Sequence, residues 1–279
     1  MNRYEKKFLE LKMKKEKAFV SFVVLGDPDY KTSIEIIKTI VKTGTDILEL
    51  GIPFSDPIAD GKTIQKAHQR ALKKRMNTEK AFKLIKEIRK FTGIPIGLLV
   101  YFNNVYAYGI NNFYRKAKKA GVDSVLITDL SLEESPPVIK AAKEYCLNQI
   151  FLVSQTTPIK RIKKINKLCS GFIYLVAIEG VTGTRKELQK ETLKLIEKVK
   201  ANTNLPLCIG FGISKPQQFR KLTETDIDGV IIGSKIVSMI EKNLNCKKTM
   251  MTEISFFTEK MKKCSKRFKN NTTHNNIRR

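Results

Sequence analysis

Eight short apolar runs recur along the chain, each followed by a longer segment with helical spacing. The runs read AFVSFVV (18–24), DILEL (46–50), IPIGLLVY (94–101), DSVLIT (123–128), QIFLVS (149–154), FIYLVA (172–177), LPLCIGF (205–211) and DGVIIG (228–233). Between them, segments such as KTSIEIIKTIVKTG, TEKAFKLIKEIRKF and KELQKETLKLIEKVKAN carry apolar residues at three- and four-residue steps, the period of one helix face. A strand, a helix and a second strand pack as a right-handed βαβ unit, so strict alternation builds a parallel sheet. Eight such repeats predict an α/β fold, a closed (β/α)8 TIM barrel, and the length of 279 residues suits one domain of that kind. Extra helices are predicted at the N-terminus (RYEKKFLELK), after the second run (KTIQKAHQRALKKR) and after the eighth, where KIVSMIEKNL gives way to another helical pattern. Residues 1–259 form the predicted barrel domain, and 260–279 read as a basic, disordered tail.

The charge balance narrows the partners. The formal net charge is +26. A nucleic-acid binder concentrates its basic residues in a stripe or arm. Here the last twenty residues hold eight Lys and Arg and no acid, which leaves +18 spread over the rest. That distribution is a lysine-rich solvent face, compatible with steering an anionic substrate, and it argues against nucleic acid. No apolar run approaches the roughly 18 residues of a membrane span. Five cysteines (Cys146, Cys169, Cys208, Cys246, Cys264) are far apart and odd in number, which fits neither a disulfide framework nor a zinc site. A reducing, cytoplasmic setting is expected, with no metal.

In a (β/α)8 barrel the chemistry sits at the C-terminal strand ends. The second run is DILEL followed by GIPFSDPIADG (51–61). Side chains alternate along a strand, so Leu48 and Leu50 face the helices while Ile47 and Glu49 point inward. Glu49 is then a carboxyl group in an apolar wall, where desolvation raises its pKa and suits it to give and take protons near neutral pH. The alternative is a structural carboxylate paired with a buried Lys or Arg. Asp56 and Asp60 lie in the following loop. Asp60, at its far end, can reach back over the barrel mouth, whereas Asp56 is placed to hold the loop. The seventh and eighth runs end in GFGIS (210–214) and GS (233–234). Glycines there let an anion approach backbone N–H groups, and Ser234 opens a helix, so this pair of ends is the expected phosphate position. Gly180 and Gly183 bracket Val181 and Thr182 in a segment composed like a lid. His68, in a helical stretch, and His274, in the tail, have no partners for a triad or a metal in the sequence pattern.

LGDP (25–28), ELGIPFSDPIADGKTIQ (49–65), GLLVYFN (97–103), GVDSVLITDL (121–130), GVTG (180–183), GFGIS (210–214) and GS (233–234) occur in this order and spacing. Together they resemble the tryptophan synthase α-subunit family over about Arg3 to Asn245. The resemblance implies retro-aldol cleavage of indole-3-glycerol phosphate to indole and glyceraldehyde 3-phosphate. It makes Glu49 the main acid/base and Asp60 the group that meets the indole N–H. It places Tyr174 beside the substrate and Phe22, Leu99, Tyr101 and Leu126 around the indole. It assigns Thr182 to the substrate-binding loop and Gly183, Gly212, Gly233 and Ser234 to the phosphate. It further implies an α2β2 complex in which the β chain carries pyridoxal phosphate, while this chain uses no cofactor. The chain departs from the family where AIEGVTG (177–183) replaces the common SRAGVTG: Ile178 stands where an arginine is usual, and Glu179 adds a charge. Two rival readings are a barrel enzyme acting on a related indole phosphate and a non-catalytic subunit that only activates the β chain.

Overall fold

A computed structural model describes residues 1–176, 185–210 and 212–266. Eight strands close in sequence order into one parallel barrel, with the first paired to the last. The elements run α1 (Arg3–Met13), β1 (Ala18–Val24), α2 (Tyr30–Lys42), β2 (Ile47–Gly51), α3 (Lys62–Lys73), α4 (Thr78–Arg89), β3 (Ile96–Val100), α5 (Phe102–Tyr106), α6 (Ile110–Ala120) and β4 (Ser124–Ile127). They continue α7 (Pro136–Glu144), β5 (Asn148–Val153), α8 (Ile159–Leu168), β6 (Ile173–Val176), α9 (Arg185–Lys200), β7 (Leu207–Gly210), α10 (Pro216–Thr223), β8 (Gly229–Ile232), α11 (Ser234–Lys242) and α12 (Lys247–Lys263). The (β/α)8 architecture is the one that the alternation predicts, and α1, α3 and α12 are the extra helices expected. α5 is a single turn that the sequence pattern does not separate from the loop around it.

Local chemistry sets the helix ends. Asn2 and Glu5 form a reciprocal capping box on α1, and the side chains of Asp29 and Asn77 accept from the first turns of α2 and α4, each satisfying an orphan N–H. Gly121 ends α6 at φ 94°, a left-handed conformation that favours glycine.

The bottom of the barrel is plugged. Tyr4, on α1, is fully buried, and its hydroxyl meets Ser124 Oγ at 2.8 Å. Gly97 makes room for it, since a Cβ there would lie 2.9 Å from the Tyr4 hydroxyl and 2.8 Å from Ser124 Oγ. Phe172 packs on the same ring at 5.7 Å between centroids. Phe22 on β1, Glu49 on β2 and Gly97 on β3 share one register level. The tyrosine plug thus ends just below the level of the buried carboxyl group.

The C-terminus corrects one expectation. The boundary drawn at 259/260 falls inside α12, which runs on to Lys263. Beyond it Ser265 is buried and its carbonyl accepts from the Lys17 N–H at 2.9 Å, while Lys266 bridges to Glu16. The anchor is Lys262. Its ammonium donates to both oxygens of Asp46 at 2.9 and 2.8 Å and to Glu16 at 2.9 Å. Asp46 also accepts from the Phe19 N–H at 2.9 Å, so this cluster ties α12 to the roots of β1 and β2. Lys260, Lys262 and Lys263 therefore belong to a packed helix, because the apolar face of α12 (Met250, Ile254, Met261) is buried. The remainder of the expected tail, 267–279, lies outside the described residues.

Lys262→Met should remove the cation and leave Asp46 buried without its partner. We expect a loss of about 2–3 kcal/mol in urea unfolding at pH 7, below the figure for a fully buried pair because Lys262 is partly exposed. A loss under about 0.5 kcal/mol, the scale of an exposed pair, would show that the clamp adds nothing.

Candidate active site

A cavity of about 400 Å³ opens at the C-terminal ends of the strands. Its floor and walls come from alternate residues of the barrel: Phe22, Glu49, Leu99, Leu126, Tyr174 and, unforeseen in the sequence, Leu152 and Ile231. Strand parity along β5 and β8 is the sequence signal that bears on the last two. One rim is the stretch 59–64, where the loop after β2 turns into α3. The other rim brings Gly212, Gly233 and Ser234 together. Gly212 is in the left-handed region at φ 69°, and Gly233 is the N-cap of α11. The first N–H groups of a helix have no intrahelical acceptor, so this rim offers backbone donors and a positive helix end.

Glu49 is 4% exposed, and among the described residues its Oε2 has no hydrogen-bond partner. Among the described residues no cation compensates it, which is not what a structural carboxylate paired with a buried Lys or Arg would show. Burial pushes its pKa from 4.5 up to about 8, with the charge of Asp60 adding to the rise. At neutral pH the group is largely a protonated acid that can release its proton within the physiological range.

Asp60 is held differently. Its Oδ2 accepts from the Tyr101 hydroxyl at 2.7 Å and lies 3.3 Å from His68 Nε2. The Tyr101 hydroxyl in turn accepts from the Ala59 N–H at 3.1 Å. Burial, and then the hydrogen bond to Asp60, push the Tyr101 phenol far above its usual value, so it serves as a donor. Tyr101 therefore stands behind Asp60, stacked on Phe54 at 5.0 Å, and does not line the cavity as the resemblance implied. His68 is the larger departure. It reads in the sequence as a histidine without partners, yet it is buried against both Asp60 and the Phe54 N–H. The contact spans eight residues across a loop and a helix start, a separation no local pattern reports. Asp56 is exposed and accepts from Ser55 Oγ at 2.5 Å.

Tyr174 is buried, and burial followed by the charges of Glu49 and Asp60 raises its pKa well above the usual value. Gly210 makes its position possible, because a Cβ there would overlap the Tyr174 hydroxyl. Phe22 depends likewise on Gly51 and Gly233, where a Cβ would approach its ring to 3.0 and 2.8 Å. Thr182, Gly183, Ile178 and Glu179 lie outside the described residues. Among the described residues no cluster of three or more His, Cys, Asp or Glu could hold a metal ion.

Barrel and cavity together define a class: a (β/α)8 barrel whose strand ends hold a desolvated carboxyl group and a second, hydrogen-bonded carboxylate at a mostly apolar cavity. Comparison with known proteins narrows it further. The profile of the tryptophan synthase alpha chain family matches residues 8–266, and the chain belongs to that family. It is 50% identical to the tryptophan synthase alpha chain of Methanothermobacter thermautotrophicus over 237 residues, covering 85% of this chain and 88% of that one. It is 44% identical to the Helicobacter pylori alpha chain over 256 residues, covering 91% and 97%. The crystal structure of the tryptophan synthase alpha chain from Legionella pneumophila superposes with a TM-score of 0.86 at 32% identity, covering 95% of this chain and 97% of that one.

The raised pKa of Glu49 has a stability consequence. Between 4.5 and about 8 the folded protein keeps a proton that the unfolded chain releases, so this group lowers stability as pH rises through that window and has no further effect beyond it. At about 1.4 kcal/mol per pH unit the full cost is on the order of 5 kcal/mol. Glu49→Gln should therefore gain stability relative to the parent as pH rises from 4.5 to 8.5, measured by urea unfolding at several pH values. A difference independent of pH would place the Glu49 pKa in the ordinary carboxylate range.

Proposed function

We propose that the chain cleaves indole-3-glycerol phosphate to indole and glyceraldehyde 3-phosphate, as a lyase of tryptophan biosynthesis. The observation that carries this reading is the buried carboxyl group of Glu49, with Oε2 unpartnered among the described residues, at the mouth of an apolar cavity. The reaction needs one proton delivered to the indole C3 and one removed from the hydroxyl of the glycerol chain. Glu49 supplies the first as an acid. The resulting indolenine cation spreads its charge to the ring nitrogen, where Asp60 faces the N–H and offsets it. Glu49, now ionised, takes the hydroxyl proton as the carbonyl forms. The electron pair of the breaking carbon–carbon bond returns to the ring, restoring indole. Each proton is accounted for, and Glu49 ends protonated as it began.

The cavity suits the substrate in shape as well as chemistry. Phe22, Leu99, Leu126 and Leu152 offer apolar faces to an indole. The Gly212 and Gly233–Ser234 rim offers backbone N–H groups to the phosphate, and the positive field of the lysine-rich surface favours arrival of an anion. Thr182 and Gly183 are assigned here by the family motif alone.

The family supports a partner and a setting. The proposed partner is the tryptophan synthase beta chain, in an α2β2 complex, with pyridoxal phosphate held by the beta chain. Large apolar side chains stand exposed beside the mouth, Ile58 at 81% and Tyr106 at 68%, which supports a protein partner on that face. No described helix is long and apolar enough to cross a membrane, and the proposed setting is the cytoplasm.

Indole release from indole-3-glycerol phosphate, followed with and without the beta chain, tests the reading. Glu49→Gln should lose at least about a thousandfold in kcat, within the range of general acid–base and electrostatic contributions combined. Asp60→Asn should lose about a hundredfold. Near-parental turnover in either variant would remove that residue from the chemistry. A chain that supports serine and indole consumption by the beta chain but never cleaves the glycerol phosphate would be an activator only.

Gly233→Asp brings a carboxylate to the phosphate rim and a Cβ to within 2.8 Å of the Phe22 ring. Glycerol 3-phosphate affinity, measured by calorimetry, should fall by more than about tenfold, and by less in Gly233→Ala, which adds the Cβ without the charge. Equal losses would assign the effect to Phe22 rather than to the anion.

A further inference from the structure

We propose that His68 is a positioning residue for Asp60, working as a fixed-tautomer donor that divides the two carboxylate oxygens between the protein and the substrate. The inference rests on the retro-aldol reading above for what Asp60 does, and on geometry alone for what His68 does.

His68 is 1% exposed on α3. Its Nδ1 lies 3.2 Å from the Phe54 backbone nitrogen, which is a donor. Nδ1 must therefore accept, and the proton of the neutral ring sits on Nε2. Nε2 is 3.3 Å from Asp60 Oδ2, so the Nε2–H donates to it. The same oxygen takes the Tyr101 hydroxyl at 2.7 Å. Two protein donors converge on Oδ2, and among the described residues none is bonded to Oδ1. One oxygen is fixed to the protein and the other is left to receive a ligand N–H.

The ring also ties the loop together. Phe54 stands near the start of the connection between β2 and α3, and Asp60 near its end. One buried imidazole bonds both, and Gln65 Nε2 adds a bond to the Asp60 carbonyl at 2.8 Å. The helix beneath is itself anchored two residues on. Arg70 forms a two-pronged ion pair with the buried Asp27 at 2.7 and 2.9 Å, which joins α3 to the loop after β1. Asp60 is thus aimed by a chain of contacts that leads back to the barrel wall.

Two substitutions separate the two bonds. His68→Asn can keep an acceptor where Nδ1 stood but cannot reach Asp60. His68→Gln can place an amide N–H where Nε2 stood. For indole release we expect His68→Asn to lower kcat by about tenfold, with glycerol 3-phosphate affinity within about twofold, and His68→Gln to restore most of the loss. Added to Asp60→Asn, the His68→Asn change should cost less than about twofold, because its target is gone. Nitrogen NMR of the His68 ring in the parent should show the Nε2–H tautomer. A full penalty in the Asp60→Asn background, or no penalty in His68→Asn, would reduce His68 to packing. A ring proton on Nδ1 would overturn the proposal outright, whether or not the variants fold. A parent that releases no indole would remove the proposed function, while the NMR result would still decide the role of His68.

Discussion

Everything described at the mouth of this barrel is arranged around one costly act, the burial of the Glu49 carboxyl group with no compensating cation among the described residues. A carboxyl group in such a place is stable only when protonated, and that condition is what a proton donor requires. The neighbours serve the condition. Gly97 stands beside Glu49 in the register with no side chain to crowd it, and Phe22 stands on the other side, admitted by Gly51 and Gly233. Tyr4 seals the barrel from below. Any polar group added at this level would solvate the ionised form and pull the pKa back toward its ordinary value.

Asp60 solves the opposite problem. Its carboxylate is surrounded by donors rather than by hydrocarbon. The two carboxyl groups come from one short stretch of chain, eleven residues apart, yet one lies on a strand and the other on a loop braced by α3 and the start of α5. Environments that push two titratable groups apart in character are the usual way for a site to divide acid–base work from electrostatic work. In the proposed reaction the division is made by backbone placement. A strand residue is enclosed on all sides by the barrel, whereas a loop residue can be reached by Tyr101 and His68 from neighbouring elements.

The far end of the molecule shows the same economy of contacts. Lys262 gathers Asp46 and Glu16 under the barrel, and α12 closes against α2 and α11. Burial pushes the Asp46 pKa upward while Lys262 opposes it, so that pair steadies the roots of β1 and β2 at some expense in desolvation. The clamp lies at the opposite end of the strands from the cavity, where barrels place stability rather than chemistry.

The eightfold alternation determined the barrel by itself, because a strand with both faces covered and a helix with one covered face have different periods and must be hydrophobic in different ways. Strand parity determined that Glu49 points inward; Phe22, Leu99 and Tyr174 were legible only through the family resemblance, and Leu152 and Ile231 line the cavity beside them. The glycines at the ends of β7 and β8, legible in the sequence, come together on one rim of the cavity. The tertiary structure alone decided which side chains stand behind the site. Tyr101 reads as a wall residue and proved to be a donor to Asp60. His68 reads as a partnerless histidine and proved to bridge both ends of a loop. Lys262 reads as part of a disordered tail and proved to be a partly exposed anchor that holds the buried Asp46. Each of these depends on contacts between elements far apart in the chain or across a loop, and periodicity reports only which face of an element is covered, not what covers it.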